Sequence, residues 1–435
     1  MIEYLHLENV GPSPELTMDF GPRLNLITGD NGLGKSFLLD IAWWALTRSW
    51  PAVVNPSIAS GSMARPARSG RASIEFSFRS KSKKESYRSE FDRREETWTE
   101  KPGRPANPGL VLYAQVDGGF SVWDPARNAR MEAKKGDAEE RQPAYVFSSQ
   151  QVWHGLKRGD TQLCNGLVLD WALWQKEGGE AFRQLSEVLA SLSPSPEEKL
   201  EPGSLGKLSI ADSRWIPTLK TPYGLDVPVL RASAALKRVA ALAYLVVWAW
   251  QEHVRNVPLL DEAPTRQITF LIDELEGHLH PRWQRTIVRS LLQVMRGLAG
   301  EASIQIVAVT HSPLLLASVE PLFDAATDAW FDLDLEPKGE LPTDQVKEVK
   351  LTRRDFVRHG DVSNWLTSEA FDLGSARSLE AEIAIADARA LLQLQDQAPI
   401  EDIERVDLAL RAVLGDIDPF WVRWSAYVER RREGR

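Results

Sequence analysis

The 435-residue chain has a single cysteine, Cys164, and no long apolar run. One thiol excludes a disulfide framework or a cysteine-based zinc or iron–sulfur site within one chain, and it fits a reducing cytoplasm. The longest apolar stretch, residues 239–250, has 12 residues, whereas about 20 are needed to span a bilayer. It predicts a buried helix, and nothing at the start of the chain resembles a signal peptide. We therefore expect a cytoplasmic protein with no membrane contact.

The chain also lacks an overall positive charge, since 52 Lys and Arg face 61 Asp and Glu. The net charge of −9 gives no general attraction to nucleic acid or anionic membranes. Between Arg65 and Arg104, however, there are 12 basic and 7 acidic residues. This stretch indicates either a DNA contact or mixed charge that keeps an exposed edge strand soluble, and the second interpretation is favoured.

The apolar pattern predicts an α/β protein. Turn residues separate three short strands within residues 1–28, and a helix follows Gly34; its apolar face carries Phe37, Leu38, Ile41 and Ala45. Residues 48–145 predict a β-rich, surface-facing insert that contains a hairpin with its turn at Asp117-Gly118-Gly119.

The second half of the chain is predicted to be mostly helical around a parallel sheet. Residues 152–230 predict a short helical lobe, and a long amphipathic helix covers about 232–253. Strands at 268–274 and 304–312 enclose a helix opened by Pro281, an order that implies parallel strands. We expect an ATPase-type domain over residues 1–340 and a C-terminal helical region over 341–435. In that region apolar residues recur at helical spacing behind Ser378, namely Leu379, Ile383, Ala386, Ala390 and Leu394.

Residues 29–36, GDNGLGKS, form a complete phosphate-binding loop (P-loop) between an apolar strand and a helix. Glycines let backbone N–H groups curl around phosphate, Lys35 reaches the β- and γ-phosphates, and Ser36 binds Mg²⁺. The residues expected to line the phosphates are Gly29, Asn31, Gly32 and Gly34.

Two further strand ends supply the remaining chemistry. Asp273 and Glu274 end the strand FLIDE, where Asp273 would bind Mg²⁺ and Glu274 would orient the attacking water. Asp261-Glu262 is a decoy, because Pro258 interrupts the apolar run before it. His311 ends the strand IQIVAVT, where its imidazole can sense a γ-phosphate.

Together these motifs resemble the ABC-type ATPase heads of the SMC/RecF group, especially the standalone ATPases of overcoming-lysogenization (OLD) and Septu-type anti-phage systems. The resemblance covers residues 24–316 and includes YVFSSQQVW, a Ser-containing segment before a long helix, DELEGHLHP at 273–281, and VTHSP. It implies a compact P-loop head that binds ATP and Mg²⁺. Long coiled-coil arms are not expected, because residues 152–230 show no sustained heptads.

The resemblance also implies roles for residues outside the P-loop. Gln150 or Gln151 would contact Mg²⁺ or the lytic water, although from sequence alone they are an ordinary polar pair. Ser233 would contact ATP bound to a second copy, so that two heads enclose the nucleotide as a homodimer or higher homo-oligomer. Ala234 and Ala235 depart from the family's pattern, in which Gly follows this Ser, and a simple helix cap by Ser233 is the alternative.

No second catalytic site is visible. Asp332-Leu-Asp334 lies in an alternating strand pattern, while His278 and His280 lack partners at metal-ligand spacing. The first functional hypothesis is therefore an ATP-driven switch that regulates a separately encoded effector, such as a nuclease, in anti-phage defence. The alternative is a RecF-like DNA-binding ATPase in repair, which would use the basic stretch between Arg65 and Arg104. A transporter ATPase is disfavoured by DELEGHLHP.

Overall fold

The structure is a computed structural model that describes residues 1–80, 83–99, 106–128, 142–221, 223–337, 347–394 and 397–433. Within these ranges the chain divides into two compact units, Met1–Arg358 and His359–Arg435. The domain boundary predicted at 340/341 lies outside the described residues.

Strands and helices are mixed as the sequence predicts for an α/β protein, but the expected C-terminal helical region, 341–435, also contains a strand at Lys347–Arg354. This strand pairs with the large sheet, and local patterning did not reveal that long-range pairing. The strands are β1 (Ile2–Glu8), β2 (Glu15–Asp19), β3 (Leu24–Gly29), β4 (Ser73–Ser80), β5 (Lys83–Asp92), β6 (Thr97–Trp98), β7 (Leu110–Ala114), β8 (Phe120–Trp123), β9 (Tyr145–Phe147), β10 (Leu156–Arg158), β11 (Thr161–Cys164), β12 (Thr218–Lys220), β13 (Asp226–Pro228), β14 (Gln267–Ile272), β15 (Ser303–Val309), β16 (Asp328–Pro337) and β17 (Lys347–Arg354). The α-helices are α1 (Lys35–Thr47), α2 (Pro51–Val54), α3 (Pro125–Asn128), α4 (Ser149–His154), α5 (Leu167–Glu177), α6 (Glu180–Ser191), α7 (Ala234–Asn256), α8 (Pro281–Gln284), α9 (Ile287–Ala299), α10 (Pro313–Val319), α11 (Val362–Leu366), α12 (Leu379–Leu394), α13 (Ile400–Val413) and α14 (Phe420–Glu433).

The larger of two main sheets has eight strands in the order β17-β16-β3-β15-β14-β7-β8-β9. Its five central strands, β16 to β7, run parallel, whereas β17, β8 and β9 are antiparallel to their neighbours. The parallel pairing of β14 with β15 and the hairpin turn at 117–119 are both confirmed. Because parallel strands end at the same edge, the segments after β3, β14 and β15 meet there.

The second sheet has five antiparallel strands in the order β2-β1-β4-β5-β6. Helix α1 lies in the core shared by the two sheets, so 11 of its 13 residues are buried rather than one face. Trp44 packs on Phe76 of β4, and Trp43 packs on Tyr113 of β7. The helix that carries the P-loop is therefore held by aromatic contacts on both sides.

The strands expected in a separate, surface-facing insert are instead part of these two sheets. β4 and β5 extend the second sheet, whereas β7, β8 and β9 extend the large one, and β7 and β8 are fully buried. Residues 129–141 of the expected insert lie outside the described residues. The local alternation of apolar and polar residues indicated strands here. Whether these strands form a separate insert or join the main sheets is decided by pairing with strands that are distant in the sequence.

The expected helical lobe is only partly helical, and the β10–β11 hairpin interrupts its first part. Helices α4, α5 and α6 are present, but the described residues between Ser191 and Ala234 contain the β12–β13 hairpin and a 3-10 turn, with no α-helix. The long helix predicted at 232–253 is confirmed as α7, and the apolar run 239–250 is largely buried within it. No helix in the described part of the chain is long and apolar enough to cross a bilayer.

The second unit consists of helices α11 to α14. Ser378 caps α12 as predicted, since its hydroxyl accepts a hydrogen bond from Ala381 N at 3.2 Å. The stripe through Leu379 and Ile383 is exposed, however. The buried face of α12 is the adjacent one, made by Ala381, Ala384, Ile385, Ala388 and Leu391.

A buried carboxyl group lies on α1 near the P-loop. Asp40 is only 8% exposed and accepts a hydrogen bond from the Tyr113 hydroxyl at 2.9 Å. Burial raises the pKa of Asp40 to about 7, and the negative charge of Asp273 adds to this, although the bond from Tyr113 opposes it. The carboxylate is thus disfavoured in the folded state.

We predict that Asp40→Asn relieves a loss of stability at high pH. The unfolded group titrates near 3.8 and folded Asp40 has a pKa of about 7, so the folded state binds the extra proton between these values. The carboxyl therefore makes folding less favourable as the pH rises through this window. The difference in melting temperature, D40N minus wild type, should increase from about pH 4.5 to about pH 8.

The exposed Asp19 on β2 provides the control. For Asp19→Asn the same difference should stay constant across this pH range. A constant difference for D40N would show that Asp40 is not the buried acid described above.

Candidate nucleotide site

The carboxyl edge of the large sheet brings the predicted motifs together. The P-loop follows β3, Asp273 and Glu274 follow β14, and His311 follows β15. β15 lies between the other two, with Val309 opposite Ile27 and Ala308 opposite Ile272. The structure therefore places three segments that are far apart in sequence at neighbouring strand ends.

The P-loop depends on glycines at its two ends. Gly29 has φ of +131°, and a Cβ atom there would lie 2.2 Å from the Leu333 carbonyl oxygen of β16. Gly34 has φ of +95° and precedes α1 as its N-cap. Side chains larger than hydrogen would strain the loop at both positions, while Asn31 and Gly32 are exposed at its tip.

Lys35 lies folded back onto the P-loop. It is 5% exposed, and its Nζ donates hydrogen bonds to the carbonyl oxygens of Gly29 at 2.9 Å and Asp30 at 2.6 Å. Burial lowers the pKa of Lys35, whereas the nearby carboxylates, Asp30 first, raise it. The ammonium group is thus held at the loop by weak acceptors that phosphate oxygens would replace.

Asp273 has the properties of a metal ligand. It is 1% exposed, the Ser36 hydroxyl lies within hydrogen-bonding reach of its carboxylate, and its Oδ1 atom has no hydrogen-bond partner among the described residues. Burial raises the pKa of Asp273 to about 6, and the charge of Glu274 contributes. A hydroxyl and a buried carboxylate with a free oxygen fit Mg²⁺, which binds few protein groups and completes its shell with phosphate and water.

Glu274 occupies a strained backbone position. Its φ is +47°, in the left-handed region that residues with a side chain rarely adopt. Its carbonyl oxygen accepts hydrogen bonds from Gly277 N at 2.8 Å and from Arg238 Nη2 at 3.1 Å. The decoy pair differs, because Asp261 and Glu262 are exposed and follow a 3-10 turn rather than a strand.

Glu276 joins the segment after β14 to the end of β15. Its Oε2 atom accepts a hydrogen bond from the Thr310 hydroxyl at 2.8 Å, and its Oε1 atom accepts one from His311 N. Burial, and then the charge of Lys35, lower the pKa of the half-buried His311, which favours the neutral form of its ring. Nothing in the spacing of DELEGHLHP indicated that its second glutamate has this linking role.

The remaining predicted residues lie elsewhere. Gln151 completes a capping box at the start of α4, where its Oε1 atom accepts from Ser148 N at 2.8 Å and Asn55 Nδ2 at 2.6 Å, and Gln150 is exposed. Ser233 is exposed and caps α7, accepting from Leu236 N at 3.3 Å. Within the described residues, none of these three side chains hydrogen-bonds the P-loop or Asp273.

A different glutamine lies beside the Asp273 strand end. Gln115 directly follows β7, which pairs with β14, and Asp273 N donates to the neighbouring Ala114 oxygen at 2.9 Å. Gln115 is 1% exposed, and neither atom of its amide group has a hydrogen-bond partner among the described residues. The sequence signal that could have found Gln115 is the apolar run LVLYA, which it directly follows. The parallel pairing of this run with β14 could not be read from the sequence.

Residues 24–317 match the protein family described as "AAA domain, putative AbiEii toxin, Type IV TA system". The chain belongs to this AAA family. Over 121 residues it is also 47% identical to the retron Vc95 probable ATPase of Vibrio cholerae serotype O1 biovar El Tor. That alignment spans 26% of this chain and 22% of the retron protein.

Two solved SMC heads are distant structural neighbours of this AAA protein. The SMC head domain from Thermotoga maritima covers 81% of the chain and 99% of its own length, at 13% identity and a TM-score of 0.39. The SmcHead bound to the C-winged helix domain of ScpA covers 81% and 97%, at 14% identity and a TM-score of 0.41.

We predict that Asp273→Asn has opposite effects on the AAA protein with and without ligand. At about pH 8 removal of the buried charge should raise the free energy of unfolding without nucleotide, by on the order of 1–3 kcal/mol. The rise in melting temperature on adding ATP and Mg²⁺ should be lost, because a carboxamide is a poor Mg²⁺ ligand. Denaturant and thermal unfolding measure the two effects.

Asp334→Asn is the matched control, since Asp334 lies on β16 and is only partly buried. It should change neither quantity. If D273N kept the full thermal shift with ATP and Mg²⁺, Asp273 would not be the metal ligand.

Proposed function

We propose that the chain is a Mg²⁺-dependent ATPase that acts as a switch, in which two copies close around ATP and separate after hydrolysis. The observation that carries this proposal is the pairing of Ser36 with the buried, partly unsatisfied carboxylate of Asp273 beside the ammonium group of Lys35. A buried carboxylate with a free oxygen is costly unless a ligand uses it.

Each residue at the edge has a task in this proposal. Lys35 exchanges the carbonyl oxygens of Gly29 and Asp30 for the β- and γ-phosphate oxygens. Ser36 and Asp273 would hold Mg²⁺, which would neutralise negative charge on the phosphates. The Ser36 hydroxyl lowers the pKa of Asp273, as expected of two groups that face each other.

Glu274 and His311 act on the water and the γ-phosphate. Glu274 is half-buried beside Asp273, where its carboxylate orients the attacking water. The neutral His311 ring donates one hydrogen bond to the γ-phosphate, and Glu276 fixes its backbone. We further propose that Gln115, rather than Gln150 or Gln151, contacts the metal or the water, because its amide is unpaired whereas the Gln151 amide is already used.

Dimer formation is supported by the exposure of Ser233. The hydroxyl at the start of α7 makes only a local cap and is open to a second copy. The methyl groups of Ala234 and Ala235 oppose close approach, since they occupy positions where glycine would expose backbone.

The partner in this proposal is a separately encoded effector in anti-phage defence, such as a nuclease. The family description names a toxin and a toxin–antitoxin system, and the retron ATPase is a relative over part of the chain. The OLD-type and Septu-type systems remain our expectation for the closest functional parallel. No group of three or more His, Cys, Asp or Glu able to hold a metal lies among the described residues, so no metal-nuclease centre is seen in them.

The structure gives less support to the DNA-binding alternative. The described basic residues of the 65–104 stretch lie largely on or beside the β4–β5 hairpin, where many of them pair with carboxylates of the same sheet. These pairs are Arg71 with Glu90, Arg79 and Lys84 with Glu3, and Arg88 with Glu8 and Glu75. Lys81, Lys101 and Arg104 lie outside the described residues. Charges neutralised in this way favour a solvated sheet surface over a phosphate-binding patch.

We predict that Glu274→Gln traps the ATP-bound dimer. The amide has nearly the shape of the carboxylate but orients water poorly, so the hydrolysis rate should fall about 10²-fold or more while ATP binding is kept. Light scattering with ATP and Mg²⁺ should show twice the monomer mass for E274Q. The double variant Lys35→Ala/Glu274→Gln, which cannot hold the phosphates, should remain monomeric.

A monomeric E274Q protein that binds ATP would refute the two-headed switch. It would leave the ATPase assignment intact. Failure of wild-type protein to bind ATP in calorimetry would refute both.

We also predict that Gln115→Ala and Gln151→Ala have different effects. Q115A should lower kcat about 10-fold or more at an almost unchanged melting temperature, because its amide makes no structural hydrogen bond. Q151A should lower the melting temperature, because it breaks a capping box worth about 1 kcal/mol, and should leave kcat near that of wild type. The reverse pattern would restore Gln151 as the glutamine of the site.

A further inference from the structure

Arg238 is a cation on α7 that contacts the segment carrying Asp273 and Glu274. Its Nη2 atom donates hydrogen bonds to the carbonyl oxygens of both Asp273 and Glu274, each at 3.1 Å. Its Nη1 atom lies 3.5 Å from the Val116 carbonyl oxygen in the β7–β8 hairpin. One planar guanidinium group therefore bridges the two strand ends that carry the chemistry.

The carbonyl groups of Asp273 and Glu274 need such a donor, because they lie beyond the hydrogen-bonded part of β14. β14 ends at Ile272, and the positive φ of Glu274 turns the backbone away from the pattern of the sheet. A residue in this conformation costs on the order of 1–3 kcal/mol and persists only where neighbouring contacts hold it. Arg238 supplies two of these contacts, and Gly277 N supplies a third.

Several carboxylates also surround the positive charge of Arg238. Burial lowers the pKa of Arg238, but Glu274, Asp273, Glu276 and Asp117 all favour its charged form. Its side chain lines a cavity of about 340 Å³ between α7 and the β7–β8 hairpin, and a Cβ atom on Gly277 would lie 3.5 Å from its Cζ atom. The guanidinium thus has room to shift towards the cavity, and Gly277 leaves it the space that a larger residue would fill.

The position of Arg238 on α7 links it to Ser233. It lies five residues after this helix cap, on the first turns of a continuous 23-residue helix. A small displacement of the start of α7 therefore moves the guanidinium by a similar amount. The carbonyl oxygens of Asp273 and Glu274 move with it, or lose their donor.

We propose that Arg238 is the positioning residue that holds Glu274 in its strained, water-orienting conformation and couples this conformation to the position of the Ser233 end of α7. Contact of a second copy at Ser233 then sets the geometry of hydrolysis within the same chain. This inference rests on the proposed ATPase function. It adds to that function a residue that touches neither nucleotide nor metal.

The test compares Arg238→Met, which keeps the length without donors, with Arg238→Lys, which keeps the charge. R238M should lower kcat for ATP about 10²-fold with KM for ATP within about threefold, because misplacement of a reacting group by about 1 Å has this effect. R238K should recover part of kcat, since an ammonium group bonds one carbonyl well but does not bridge two. R238M should also still form the ATP-bound dimer by light scattering, as a structural collapse would not.

Lys237→Met is the matched control. Lys237 is the preceding residue, lines the same cavity, and has no side-chain hydrogen bond among the described residues. K237M should keep kcat within about twofold of wild type. If wild type hydrolyses ATP and R238M does so equally fast, or if R238M raises KM as much as it lowers kcat, the inference fails and the ATPase function stands. If wild type neither binds nor hydrolyses ATP, the proposed function fails first.

Discussion

The parallel alignment of β3, β15 and β14 is the constraint on which the site depends. All three strands end at the same edge of the sheet, so strand pairing alone makes neighbours of residues that are up to about 280 positions apart in the sequence. Helix α1, which follows the P-loop, is buried between the two sheets and packs against both of them. A P-loop on such a helix has little freedom to move, so the phosphates are received by a preformed backbone. The groups that remain adjustable are side chains, Lys35 above all.

The sequence was sufficient for those parts of the site that are local in the chain. The P-loop, the acidic strand end and His311 are each defined by a strand followed at once by particular residues, and no tertiary information is needed to find them. Gln115 and Arg238 were missed because their positions depend on pairing between distant elements. The insert was wrongly predicted for the same reason, since alternation of apolar and polar residues indicates a strand but not the sheet to which it belongs. On α12 the spacing fits two adjacent stripes, and the smaller alanine-rich one is buried because it allows closer helix packing.

The carboxyl edge of the large sheet contains buried carboxyl groups whose ionised form is unfavourable, and the stability of the rest of the fold compensates for this cost. Asp40, Asp273 and Asp332 all have raised pKa values, chiefly through burial, and the charges of Asp273 and Asp332 act on the same Lys35. A protein selected only for stability would replace such groups with apolar ones. Asp273 and Asp332 both raise the pKa of Lys35, and this concentration of carboxyl groups, together with a positive φ at Glu274, indicates a region built for a ligand rather than for stability. A cation such as Mg²⁺ has the charge that these carboxyl groups attract. The proposed Mg²⁺ site therefore has support in these charges as well as in the motifs.

Hydrogen bonds connect three elements at this edge into one unit. Glu276 ties the segment after β14 to Thr310 and His311, while Arg238 ties the same segment to α7. In the proposed function, a γ-phosphate that hydrogen-bonds His311 would therefore act, through Glu276, on the backbone that Arg238 contacts. The start of α7 is also the part of the chain that offers Ser233 to a second copy. In the proposed switch, these hydrogen bonds would couple the state of the nucleotide to the position of α7. The proposed function requires a coupling of this kind within one chain.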